Sequence, residues 1–147
     1  MLLNIVTDDE LFISQVVKSI LMIILAGGII FNLFRVIRAS SAKKRIISVT
    51  ITALLVFLIL FVIKEYRIEA ALLKNPVYVQ GTTLGYCSVF AKGQGIEFEY
   101  ELDGVKYHSC NTFYPVPKDS IVVPGGKYRV RCAEKFKSEG RMIFKRS

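Results

Sequence analysis

The chain has 147 residues, is 52% hydrophobic, and carries a net charge of +8 with a mean hydropathy of +0.44. That is too apolar for an average soluble domain, and the charge is uneven. Residues 1–63 hold six Lys/Arg and three Asp/Glu, and residues 64–147 hold fourteen and nine, so a charge-poor half precedes a normally charged half of net +5.

Two apolar runs dominate the first half. "SILMIILAGGIIFNLF" covers Ser19–Phe34 and extends back to Leu11 with Lys18 as its only charge, and "IISVTITALLVFLILFVI" covers Ile46–Ile63 with none. A helix needs roughly 20 apolar residues to cross the hydrocarbon core, so transmembrane helices are expected over about 11–34 and 46–63. The alternative is two buried helices of a soluble protein. It is disfavoured because so small a chain cannot cover two helices that are apolar all round. A cleaved signal peptide is not expected either: "TDDE" stands where a basic region would, and no small-x-small cleavage site follows.

The connector, residues 35–45, carries Arg35, Arg38, Lys43, Lys44 and Arg45 and no acid. A short loop dense in Lys/Arg stays cytoplasmic, which puts both termini on the extracytoplasmic side of a bacterial inner membrane. Anionic lipid headgroups are a compatible partner for this loop. Ala26-Gly27-Gly28 offers a close approach for another helix, and Ser48, Thr50 and Thr52 offer hydrogen bonds across a helix pair. Pairing within an antiparallel hairpin is expected, with homo-oligomer contacts as an alternative. With no charge at the centre of either span, no ion path is implied.

Asn75-Pro76 ends the second helix, since the residue before proline avoids helical backbone. Residues 1–74 thus form a membrane anchor and 75–147 an all-β domain. Period-two alternation predicts strands at Val77–Phe90, bulged at Gly81 and Gly85, at Ile96–Leu102, Val105–Phe113 and Lys127–Cys132, and at Arg141–Phe144. A further short strand is expected at Ile121–Val123. Lys92-Gly93-Gln94 is a turn. Asp103-Gly104 is a two-residue primed turn, and Pro124-Gly125 suits a type II turn. The Asp-Gly turn sets the register and sets Glu101 opposite Lys106 and Glu99 opposite His108. Ile96, Phe98, Tyr100, Leu102, Val105 and Tyr107 then face inward, as do Tyr128, Val130 and Cys132. The glutamates, Lys127, Arg129 and Arg131 face out. A curled antiparallel sheet or open barrel of about five strands buries such a face most economically.

Phe98, Tyr100, Asp103, Gly104 and Tyr107, followed by Gly126, Tyr128, Val130 and Cys132, make a pattern that resembles a bacterial family of unknown function. That family has two N-terminal transmembrane helices and a small β domain with the motif F-x-Y-x-x-D-G-x-x-Y. Cys132 stands where an aromatic is usual, and "AEKFKSEG" replaces the Asn-Pro that often follows. The resemblance covers about half the chain and implies a fold; it carries no catalytic residues.

An extracytoplasmic domain permits disulfides. Among Cys87, Cys110 and Cys132, the register puts Cys87 and Cys132 on the inner face, so a bridge, if formed, is expected between those two. Bulges in the first strand would reverse that parity, and three free thiols are the alternative. His108 and Cys110 lack metal-ligand spacing, and strand neighbours on one face sit roughly 7 Å apart, too far for a nucleophilic pair. Glu97, Glu99 and Glu101 alternate with core residues and read as a solvated face. The glycines at 81, 85, 93 and 95 match no phosphate-binding loop. No catalytic residue, metal or cofactor is therefore expected.

Lys127, Arg129, Arg131, Lys135, Lys137, Arg141, Lys145 and Arg146 make the C-terminal part basic. Outside the membrane, nucleic acid is excluded as a partner; a solubilising face, anionic lipid and an acidic protein remain. Phe113, Tyr114, Lys127, Arg129 and Arg131 are the candidate interaction surface. The expected function is a binding, accessory or immunity-type module. The alternatives are a sensor whose cytosolic barrel binds a small ligand and, last, an enzyme.

Overall fold

A computed structural model of the chain describes residues 7–89 and 93–144. Two helices, α1 (Asp8–Arg38) and α2 (Ala42–Lys74), precede five strands, β1 (Val77–Val89), β2 (Gly93–Leu102), β3 (Val105–Asn111), β4 (Lys127–Ala133) and β5 (Phe136–Ile143). Both helices are long and apolar enough to cross a membrane. At 1.5 Å per residue they measure about 46 and 50 Å, longer than the apolar runs alone. The helical backbone continues into the polar flanks until Ala39-Ser40 and Asn75-Pro76 stop it.

The chain divides into two compact units, Phe12–Glu69 and the remainder, in which the helix ends before Phe12 and after Glu69 group with the strands. Within the first unit many apolar side chains away from the helix–helix contact are uncovered: Ile23 is 72% exposed, Phe57 69% and Ile37 76%. A Cβ on Gly28 would meet Leu55 at 3.4 Å, so Gly28 faces α2, while Gly27 faces open space. Thr50 and Thr52 do not bond across the pair. Their hydroxyls donate to the carbonyls four residues back, Ile46 and Ser48, which satisfies them within their own helix.

In the second unit all pairings are antiparallel, in the order β3-β2-β1-β4-β5. The Asp103-Gly104 turn has both residues at positive φ, 54° and 75°, as a primed turn requires. It sets the expected register, Leu102 opposite Val105 through Glu99 opposite His108. The core gathers Ile96, Phe98, Tyr100, Val130, Cys132 and Met142, with Phe98, Tyr100 and Tyr107 stacked in a row at 5.8–5.9 Å.

Several expectations are corrected. Only one bulge breaks the β1–β2 register, between Thr83 and Gly85; Gly81 pairs regularly with Tyr100. Ile121–Val123 is not a strand, because Thr83 ties the segment down instead. Its hydroxyl donates to the Val122 carbonyl and accepts from the Gly126 amide. The last strand begins at Phe136, five residues before Arg141, through a tight turn after Ala133. Val105 is half exposed, since it borders the turn at the sheet's end. Lys106 reaches Glu99 diagonally at 3.7 Å rather than Glu101 directly opposite, and Asp103 pairs with Lys137 at 2.7 Å. Phe90, Lys92, Lys145 and Arg146 lie outside the described residues.

The β2–β3 hairpin and the β5 edge meet through side chains rather than a ladder. Tyr100 Oη donates to the Lys137 carbonyl at 2.5 Å and accepts from the Gly140 amide at 2.9 Å. Ser109 donates to the Gly140 carbonyl at 3.1 Å. Asn111 Nδ2 donates to the Met142 carbonyl, and Asn111 Oδ1 accepts from the Met142 amide. The sheet is thereby nearly closed, and the β5 edge is occupied rather than left open to another strand.

Candidate functional site

The outer face of the β1–β4 pair is built by register. Tyr78, Gln80 and Thr82 stand opposite Arg131, Arg129 and Lys127, and strand alternation puts all six on the face away from the core. Arg129 lies over the Tyr78 ring at 4.6 Å from its centroid, inside the range of a cation–π contact. Lys127, Arg129 and Tyr78 are exposed. On the same face, β2 presents Glu97, Glu99 and Glu101, so the sheet is acidic on the β2 side and basic on the β4 side.

Arg131 does not belong to the exposed surface. Its side chain is 4% exposed; Nη2 meets the Asp8 carboxylate at 2.6 Å and Nε donates to the Leu72 carbonyl at 3.0 Å. It therefore holds β4 to the ends of both helices within their shared unit. Alternation alone assigned it to water, and nothing in the local sequence marks it as the strand residue that meets a helix end. Phe113 and Tyr114 are half-buried, and Tyr114 packs edge-on against Phe144 at 6.2 Å. The structure thus sets Arg129 over Tyr78, with Lys127 two residues along the same face of β4, whereas Tyr114 packs against the core. Tyr78 is the member of this strip that residue type alone did not single out.

The disulfide joins Cys87 to Cys110, and Cys132 is the buried free thiol. Two physical causes overturn the Cys87–Cys132 pairing. The Thr83/Gly85 bulge reverses the face of Cys87. Cys132 pairs with Val77, ten residues up β1 and so roughly 30 Å along the strand from Cys87. Its Sγ donates instead to the Val77 carbonyl, and burial pushes its thiol pKa up.

Cys87 sits opposite Gly95 and Cys110 opposite Glu97, so the bridge crosses over β2. In a flat sheet, Cα atoms two strands apart lie about 9–10 Å from each other; these lie 6.2 Å apart. The sheet is folded at Gly95, where a Cβ would come within 2.6 Å of the Asn111 carbonyl and 2.9 Å of Cys110 Sγ. His108 is exposed opposite Glu99. Among the described residues, no three His, Cys, Asp or Glu gather as a metal site would require.

The helical unit has two polar features. Lys18 and Glu69 form a buried ion pair at 2.5 Å, with Ser14 donating to the same carboxylate at 2.9 Å. At the connector end, a cleft of about 400 Å³ is lined by residues of both helices, Arg35, Arg38 and Lys44 among them. Lys43 and Arg45 of the same basic connector do not line it.

No protein-family model, curated protein or solved structure matches the chain.

Proposed function

We propose that the chain is a small protein that crosses the bacterial inner membrane twice and displays its β domain outside the cytoplasm as a protein-binding module. The carrying observation is the Tyr78–Arg129–Lys127 strip. Tyr and Arg are the residue types that dominate binding energy at interfaces. Here an exposed ring is stacked under an arginine, beside a second cation, and neither cation has an ion-pair partner among the described residues. The fitting partner is a protein with an acidic patch, and neutralisation of a rival's toxin by a membrane-anchored immunity protein is the specific form favoured here.

The membrane reading rests on two helices whose apolar side chains stay uncovered. The orientation rests on the basic connector and on the Cys87–Cys110 bridge, which suits an oxidising compartment. A small ligand inside a cytosolic barrel has less support, because Phe98, Ile96, Val130 and Met142 fill the interior.

Two measurements test this. A C-terminal alkaline phosphatase fusion is expected to be active, and a cytosolic reporter at the same point inactive; the reverse pattern overturns the orientation. A photo-crosslinking amino acid at position 78 of the full chain is expected to trap a partner in cells, and Lys127→Glu/Arg129→Glu to abolish the adduct without changing thermal stability. Adducts at position 113 but not at 78 would overturn the assigned surface.

A further inference from the structure

The connector-end cleft is built from two matching stripes. Phe31, Phe34, Arg35 and Arg38 follow i, i+3, i+4, i+7 spacing on α1, and Lys44, Ile47, Ser48 and Ile51 follow the same spacing on α2. Residues so spaced share one helix face. Each stripe is graded in the same sense. Over seven residues, about 10 Å, it passes from an apolar side chain, Phe31 or Ile51, to a cation, Arg38 or Lys44. The apolar lining is largely uncovered: Phe31 is 63% exposed, Phe34 57% and Ile47 50%.

The cations have no counter-charge nearby. Between Glu10 and Glu65 the sequence contains no acidic residue, and none of the ion pairs among the described residues involves Arg35, Arg38 or Lys44. The first turn of α2 opens at Ala42, beside Lys44, with backbone N–H groups that a helix start leaves free for an anion. The cleft volume, about 400 Å³, falls within the range of small-ligand sites.

From this gradient we infer that the cleft is a binding site for an anionic phospholipid. The phosphate is held by Arg35, Arg38 and Lys44 at the water-facing end, and the acyl chain lies over Phe31, Phe34, Ile47 and Ile51 toward the bilayer interior. The order of charge and apolar surface along both walls is that of the lipid itself. A free phosphate would use the cations and leave the apolar wall uncovered. The inference rests on the membrane reading of the two helices but not on which side the β domain occupies.

The test uses the full chain in nanodiscs and spin-labelled lipids, with motionally restricted lipid as the readout. Nanodiscs expose both leaflets, so an inverted orientation in the phosphatase assay leaves this test unaffected. Phosphatidylglycerol is expected to be restricted in preference to phosphatidylcholine, and inorganic phosphate not to displace it. Arg38→Gln/Lys44→Gln is expected to lower the preference by about fivefold per cation removed, roughly 25-fold for the pair. Lys43→Gln/Arg45→Gln removes the same charge from the same connector but not from the cleft, and is expected to change the preference less than about twofold. Equal losses in the two pairs, equal restriction of both lipids by the unmodified protein, or full displacement by phosphate would each overturn the assignment.

Discussion

The Tyr100 hydroxyl and the Gly140 amide meet at 2.9 Å across the open seam of the sheet, and each is shaped for the other. A Cβ on Gly140 would come within 2.5 Å of the Tyr100 ring, so the ring crosses the seam only because residue 140 has no side chain. The same hydroxyl donates to the Lys137 carbonyl. One side chain therefore satisfies a donor and an acceptor of an edge strand that has no ladder partner on that side.

Tyr100→Phe removes both bonds and leaves the buried Gly140 amide and the half-buried Lys137 carbonyl without this partner, at an expected cost of about 1–3 kcal/mol. Gly140→Ala forces the ring off the seam, at a similar expected cost. Burial, partly offset by the Gly140 hydrogen bond, pushes the Tyr100 phenol up to about 12 from an ordinary value of 10.0. The folded state then holds a proton that the unfolded state has lost. Its contribution is complete below pH 10 and is lost as the pH rises toward 12. Thermal unfolding of the full chain in detergent is expected to show a steeper loss of stability over that window than Tyr100→Phe shows. Parallel curves would remove Tyr100 from the seam.

The Cys87–Cys110 bridge closes a loop across a sequence separation of 23, for which chain entropy predicts about 3 kcal/mol of stabilisation. Reductant and Cys110→Ser are expected to lower the melting temperature by equal amounts, and to have no additive effect together. Thiol labelling of the denatured chain before and after reduction is expected to rise by two groups in the unmodified protein. The same two-group rise is expected in Cys132→Ser, and none in Cys110→Ser. A rise that vanishes in Cys132→Ser would show a different bridge.

Lys18 and Glu69 are each about 5% exposed or less. Replacing either alone by Leu leaves a buried charge without its partner, at an expected cost of about 3–5 kcal/mol. Replacing both removes two desolvation penalties along with their mutual attraction, so Lys18→Leu/Glu69→Leu is expected to recover most of the loss. A double-mutant cycle on denaturant unfolding in micelles measures the coupling; additive losses would show that the two charges do not act as a pair.

Whatever depends on short-range periodicity is legible along the chain. Two uninterrupted apolar runs specify helices whatever surrounds them. Alternation from Ile96 to Leu102 specifies a strand, and Asp103-Gly104 permits the positive φ angles that set one register for a whole hairpin. Tertiary structure decided what depends on how far elements are bent and shifted. One inserted residue near Gly85 reversed the face of Cys87, and a fold at Gly95 brought Cys110 to it. The approach of β4 to Leu72 and Asp8 buried Arg131, an arginine that alternation alone assigned to water. The stripes 31–38 and 44–51 are each legible in the sequence, yet only the antiparallel pairing of α1 and α2 sets them face to face as a cleft. Local backbone sterics act over a few residues, whereas coil, bulge and helix pairing are set by packing between segments far apart in the chain.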